Sequence, residues 1–572
     1  MGPVKLSSRK TDVFQAQLRK ELPSKRFHLS SIPELRLPEL SKKELEPEPT
    51  AMAAQAGVHR LIGNESANFS RWSRVGTDRL VWRLGIESPG AEGVRVHFSK
   101  FDVGKGRVWL HDGSGRESEI MGPYTGKGLY NDGEFWSDFV LSDKVVIEYE
   151  PETAPETAVA EPPFTIAEIT HLVQGVVPGP KTAGPEDAAT NGPQAGDPPS
   201  VPQAEAACHL DVTCYPDWAE TAKAVAHIVY EKQGRSYVCS GTLVADRARS
   251  GTPYFLTADH CVDSDTVART MQVFWSYQSS TCNGPGRDRR DSTRTLGAQF
   301  LVSGGLDSGD YALVRLLSVP DGVTFAGWDP EEKAVGTQFA GIHHPAGAYK
   351  RISFSSRVTT RPGLAGADLT RFYTVNTNEG RTEGGSSGSG LFTQPGVLAG
   401  TLSYGPKTDP PKTACDVSPS YNGYGRFSSH FGFIRSYLEG RTATPGAPPP
   451  ADGGNPVGTQ ITSGRPVEFS VGPVTGATLF SGANSFRVEI PQGATRMEIK
   501  LASAGQVGFI VRKDQPPAVV GGRAQGDYTS PGNTGNESLV VNSGSTPPLQ
   551  AGTYYIGVAL FTTGQQVSAT LT

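Results

Sequence analysis

Six cysteines set the frame for this chain. They are Cys208, Cys214, Cys239, Cys261, Cys282 and Cys415, and none lies before residue 208 or after residue 415. An even set confined to one stretch reads as a disulfide framework, and so as a protein of an oxidising compartment. Sequence alone leaves every pairing of the six open. A zinc site would need closely spaced pairs such as C-x-x-C, which the chain lacks, so no metal is expected. The first residues, "MGPVKLSSRKTDVF", carry no apolar signal-peptide core. The expectation is a secreted (extracellular or periplasmic) protein whose signal peptide is not present in this numbering.

At 572 residues the chain is too long for one domain. With 68 Gly, 44 Pro and only 19% charged residues, it reads as all-β domains joined by Pro- and Gly-rich connectors. A formal charge of −5 gives no pull toward a polyanion, so nucleic acid is not expected as a partner. No apolar run is long enough to span a membrane.

Texture divides the chain. Residues 1–55 are polar and Pro/Glu-rich and read as poorly ordered. Residues 56–150 hold short β-branched and aromatic runs ("LVWRLGI", "VRVHF", "VVIEYE") broken by turn clusters, as in a small β-sandwich. Residues 151–207 read as a Pro/Ala-rich tether, 208–442 as the cysteine-bearing core, and 443–458 as a second linker. In residues 459–572, "FRVEIPQGATRMEIKLA" alternates with period two, which predicts a separate C-terminal sandwich.

Three stretches of the core carry chemistry, each beside a strand-like run. "YFLTADHCV" presents His260, "SGDYALVRL" opens on Asp310, and "GGSSGSG" offers Ser386, Ser387 and Ser389. A serine nucleophile needs a base in reach, an acid to orient that base, and backbone N–H groups aimed at the developing oxyanion. Glycines at the serine allow the backbone conformations that present those N–H groups. Each signal alone is bland. Their conjunction in the order His, Asp, Ser is not.

Residues 208–430 resemble a trypsin-like serine peptidase of the bacterial lysyl endopeptidase group, through "CHLDVTC", "CSGTLV", "PYFLTADHC", "VFWSYQSSTC", "SGDYALVRL", "AGWD", "GIHHP", "KRIS" and "TEGGSSGSGLF". "RLGIESPGA", "GPYT" and "VVIEYEP" resemble the pro-region of such enzymes. "VEIPQGATRMEIKL", "GNTGNESLVV" and "GTYYIGV" resemble a bacterial pre-peptidase C-terminal domain.

The resemblance implies a chymotrypsin-like double β-barrel flanked by two β-sandwiches. It assigns His260 as general base, Asp310 as orienting acid in preference to Asp307, and Ser387 as nucleophile, with the Gly385 and Ser387 N–H groups as oxyanion hole. Ser386 and Ser389 have no catalytic role in it. It pairs Cys208 with Cys415, Cys214 with Cys282, and Cys239 with Cys261. It needs no cofactor, and it makes polypeptides the substrates, with the C-terminal domain removed on maturation or binding a surface.

Two departures stand out. Ser386 occupies the position where trypsin-type zymogens carry an Asp that pairs with a freed N-terminus, so that charge pair is not expected. Asn422 in "SYNGYGRF" stands where lysyl endopeptidases place the Asp that meets a lysine, with Asp416 the nearest acid. "LSYG" supplies Ser403, Tyr404 and Gly405 as a substrate-binding edge. An amide in place of a carboxylate argues against lysine selection at P1. His343 and His344 read as a turn rather than a metal site. Two competing functions share the scaffold: an inactive binding or adhesion protein, and an esterase. The intact His, Asp and Ser set favours an active peptidase.

Overall fold

The computed structural model describes residues 4–5, most of 22–173 and 208–439, and most of 459–571. Residues 174–207 and 440–458, which include most of the expected tether and all of the expected second linker, lie outside the described residues. The described chain is dominated by strands. It divides into two compact units, residues 1–442 and 443–572.

The first unit opens with a sandwich. One sheet is built on Arg79–Glu87, Gly104–His111, Met121–Gly126 and Lys144–Glu150. The other contains β1 (Ala54–Leu61), β2 (Gly93–Ser99) and β3 (Thr165–Leu172), with β3 between β1 and β2. Leu84, Ile86, Val108, Leu110 and Ile147 of one sheet pack on Val94, Val96, Phe98, Ile166 and Ile169 of the other.

Two expectations are corrected here. β3 falls inside residues read as tether, because its run "TIAEITHL" follows a Pro/Glu-rich stretch whose composition masked it. The polar segment read as poorly ordered contains described residues, most of 22–48, fastened by apolar burial and by charge: Leu22 packs with Trp109 and Ile120, and Leu35 joins the sandwich core. Arg26 pairs with Glu150, Arg36 with Glu87, and Lys144 with Glu34.

The cysteine-bearing core follows. β4 (Val225–Lys232), β5 (Arg235–Val244), β6 (Tyr254–Thr257), β7 (Gln272–Trp275), β8 (Thr293–Leu296), β9 (Ala298–Gly304) and β10 (Tyr311–Leu316) form an antiparallel arc in the order β8-β7-β4-β5-β6-β10-β9. β11 (Gln338–His343), β12 (Arg351–Arg357), β13 (Phe372–Glu379), β14 (Gly390–Thr393), β15 (Val397–Tyr404) and β16 (Ser420–Arg426) make a second barrel. It closes on itself in the order β12-β11-β14-β15-β16-β13, with β13 back on β12. Helix α1 (Phe427–Leu438) buries Phe427, His430, Ile434 and Leu438, the three- and four-residue spacing of one helical face.

β4 and β5 are buried along nearly their whole length, so neither shows the alternation of a half-exposed strand. The outer face is covered by the sandwich, where Val229 and Val238 pack with Phe139, Leu141 and Leu172; β1 also pairs antiparallel with β5, so that the sandwich sheet runs on into the first barrel.

That junction is clasped by charge. His59 of β1 hydrogen-bonds Glu168 of β3 at 3.1 Å and Glu231 of β4 at 2.8 Å, and the buried Arg95 of β2 reaches Glu231 at 3.1 Å. His59, Glu168 and Glu231 border a cavity of about 750 Å³. Burial alone would lower the His59 pKa, but its bonds to Glu168 and Glu231 outweigh that and raise it to about 9. A raised histidine pKa contributes stability that is complete below its unfolded value and lost as pH climbs through the folded one. Thermal stability of the full chain is therefore expected to fall by several degrees between pH 7 and pH 10. His59→Gln should lower Tm at pH 7 and flatten that slope, as read by calorimetry.

The second unit is a sandwich of a five-stranded and a four-stranded sheet. Its strand Arg496–Ser503 shows the clean alternation expected, burying Met497, Ile499 and Leu501 against Phe486, Phe509, Val541 and Ile556. No helix among the described residues is long and apolar enough to cross a membrane.

Candidate active site

Asp310 is tightly constrained. It sits at φ 53°, in the left-handed region that Asp tolerates better than most residues, directly after Gly309. The Gly309 carbonyl accepts a hydrogen bond from His430 Nε2 of α1 at 3.0 Å. Burial pushes the His430 pKa down to about 4, so the ring is neutral at pH 7 and its Nε2 holds the proton.

Thus anchored, Asp310 is 1% exposed and accepts three bonds. His260 Nδ1 reaches Oδ2 at 2.7 Å, the His260 backbone N–H reaches Oδ1 at 3.0 Å, and the Ser403 hydroxyl adds the third. Burial would raise this carboxyl's pKa; the neighbouring His260 and the hydrogen bonds outweigh it and hold the group below the usual range. An ionised Asp310 fixes the imidazole with Nδ1 protonated, which leaves Nε2 as the basic atom. Nε2 is buried without a hydrogen-bond partner among the described residues. Asp307, the alternative acid, is exposed and bonds Ser308.

The serine loop is shaped by its own backbone. The carbonyl of Gly384 accepts from the N–H of Ala346 at 2.7 Å, and that of Ser386 from the N–H of Ser389 at 3.1 Å. In a trans peptide the N–H points opposite to the carbonyl. The N–H groups of Gly385 and Ser387 are thereby turned away from those bonds, and neither donates a hydrogen bond among the described residues. Gly385 stands at φ 92°, and a Cβ there would lie 3.0 Å from both His344 O and Gly347 N. Only glycine fits.

The loop is pinned to the histidine side. The Ser387 carbonyl accepts from Ser240 N–H at 2.8 Å, and the Ser240 hydroxyl donates to Gly385 O at 2.9 Å. Gly388 lies so close to β6 that a Cβ would meet Thr257 Oγ1 at 2.1 Å. Thr257 stands shortly before His260 in "LTADH". Three disulfides complete the frame, Cys208–Cys415, Cys214–Cys282 and Cys239–Cys261, the pairs the resemblance implies. The last joins β5 to the residue beside His260.

Ser386 is held from inside the fold. Its Oγ accepts from Glu383 N–H at 3.1 Å and shares a 2.8 Å hydrogen bond with Nδ1 of the fully buried His343. Burial holds His343 far below the ordinary histidine pKa, so this is a neutral contact. Sequence reading took His343 for part of a turn. Its contact crosses from β11 to the serine loop, and no local signal announces it.

Beside the loop lies a polar wall. Asn422 of β16 is 1% exposed; its Oδ1 accepts from Thr382 Oγ1 at 2.6 Å and its Nδ2 donates to Thr377 Oγ1 at 2.7 Å. A Cβ on Gly405 would lie 3.3 Å from that Oδ1, so "LSYG" and Asn422 are neighbours. Ser403 is turned onto Asp310, and Tyr404 packs on Phe372. Asp416 is exposed. Next to Thr382, Arg381 keeps its Nε buried without a hydrogen-bond partner among the described residues and donates through Nη1 to Gly380 O at 2.6 Å.

Residues 203–418 match the model of the lysyl endopeptidase C-terminal domain family. Over this segment the chain is similar to the lysyl endopeptidases. A lysyl endopeptidase of Pseudomonas aeruginosa is 29% identical over 245 residues, which is 41% of this chain and 52% of that protein. The chain thus spans about half the length of this curated relative. Among solved structures, the HtrA-type protease AlgW with a tripeptide is 18% identical with a TM-score of 0.28, covering 39% of this chain and 62% of that one. The active form of the Rv3671c protease from M. tuberculosis is 15% identical with a TM-score of 0.27, covering 43% and 97%.

Proposed function

We propose that the lysyl endopeptidase-like core is a secreted serine endopeptidase, made as a pro-enzyme, that cleaves peptide bonds through an acyl-enzyme. The observation that carries this is the His260–Asp310 pair placed beside a serine loop with two unspent backbone N–H groups. His260 Nε2 takes the proton of Ser387 Oγ as that oxygen attacks the carbonyl. The oxyanion then lies against the N–H groups of Gly385 and Ser387, where one such donor is worth about 3 kcal/mol. The proton passes from His260 to the leaving amine, and water releases the acyl group by the same route.

The test is covalent. A fluorophosphonate requires an activated serine, so one equivalent is expected on the full chain, mapped to Ser387 by mass spectrometry. An unlabelled Ser387 would overturn the reading.

The polar wall argues for a P1 preference other than lysine. It offers an amide and two hydroxyls, with Arg381 next in sequence, and Asn422 makes no contact with a carboxylate among the described residues. Cleavage sites read from a digested proteome are expected to fall mostly after residues other than lysine. Asn422→Asp is expected to raise kcat/KM for a lysine substrate over a neutral one by about tenfold or more, since it adds a charge-assisted bond. Strict cleavage after lysine by the unaltered protein would count against this part.

A further inference from the structure

The N-terminal sandwich touches the candidate active site through one strand. β1 runs antiparallel to β5 with Ala54 opposite Val238, Gln55 opposite Tyr237, Gly57 opposite Ser236 and Val58 opposite Arg235. Two residues beyond Val238 along β5, Ser240 donates its N–H to the Ser387 carbonyl. At about 3.3 Å per residue, Ala54 therefore sits only some 7 Å along the strand from a residue that touches the nucleophile. The serine loop itself gives the second fix. The Ala54 Cβ lies 3.2 Å from where a Cβ on Gly384 would stand, beside the oxyanion glycine.

The residues around β1 hold this seat. Ala53 packs against the core of the first barrel. Arg235 donates to Glu46 O at 3.2 Å and to Gln55 Oε1 at 3.0 Å, and the Tyr237 hydroxyl reaches Glu48 Oε2 at 3.4 Å. The Glu48 N–H in turn donates to Gln55 Oε1 at 3.1 Å.

Two strand edges flank Ser387. One is Ser403–Gly405 at the end of β15, the expected substrate-binding edge, taken here for the acyl half; the other is β5, whose Ser240 N–H meets the Ser387 carbonyl. An extended peptide bound at its scissile bond must lay its leaving half along β5, adding a strand by main-chain hydrogen bonds. β1 already fills that place.

We infer that β1 is an intramolecular ligand of the leaving-group side: it occupies the β5 edge in extended form and bars peptides that continue past the scissile bond, while leaving the acyl side usable. This rests on the serine-peptidase reading above and supplies its mode of latency. Latency here is directional, a covered substrate edge beside an assembled site.

The test compares two substrates of one sequence on the full chain. One is a peptide anilide that ends at the scissile bond; the other is an internally quenched peptide extended by several residues past it. Ala54→Trp places bulk against Gly384, and Ala54→Pro removes a backbone donor from β1. Either is expected to raise kcat/KM for the extended peptide at least tenfold, with the anilide changed less than twofold. A second form, carrying a sequence-specific protease site between residues 174 and 207, is nicked and diluted. Its extended-peptide activity is expected to rise on dilution as the N-terminal part dissociates, with the anilide rate per molecule constant.

If the ratio of the two substrates is unmoved by position 54 and by dilution, while fluorophosphonate still labels Ser387, the inference falls and the peptidase reading stands. If no form is labelled, both fall.

Discussion

Ser387→Ala is expected to abolish hydrolysis of a peptide anilide, lowering kcat by roughly 10⁶-fold, because triad members act as a unit. The fold should survive. Ser387 contributes its carbonyl to Ser240 N–H, and alanine keeps that bond. The Gly385 N–H and the His260–Asp310 pair also stay in place, so a residual rate above water from the oxyanion site remains possible to measure. Calorimetry on the variant should give a Tm within a few degrees of the parent, and fluorophosphonate should fail to label it. A variant that keeps a tenth of the parent rate would remove Ser387 from the mechanism.

Asp310→Asn tests the other end of the relay. Asparagine has nearly the same shape, but it can present an N–H to His260 Nδ1 in place of an oxygen. The ring would then place its proton on Nε2, the atom that must accept one from Ser387. A loss of about 10⁴-fold in kcat at neutral pH is expected, with little change in KM. The surroundings predict the same sensitivity: Asp310 is buried and takes bonds from His260 twice and from Ser403. Equal losses in kcat/KM and in thermal stability would instead mark a purely structural carboxylate.

Much of this core was legible because its signals are local. "TADHC", "SGDYALVRL" and "GGSSGSG" each carry their candidate residue inside a short stretch whose composition reports the local backbone, glycine where φ is positive and apolar residues where a strand enters the core. The alternation of Met497, Ile499 and Leu501 was legible for the same reason, since period two is the geometry of a half-buried strand. β3 was not. Its eight residues follow a Pro/Glu-rich stretch, and strand identity there is decided by pairing with β1 and β2, far away in sequence.

The site divides along the same line. The sequence by itself determined the residue types and their order: His260, Asp310, a serine set among glycines, and six cysteines in one segment. Tertiary structure alone decided what holds them: His430 on the Gly309 carbonyl, His343 on Ser386, Ser403 on Asp310, and β1 along β5. A motif records the backbone a residue needs. A hydrogen bond between segments a hundred residues apart leaves no mark in either of them, because any donor brought to that place by the fold would serve.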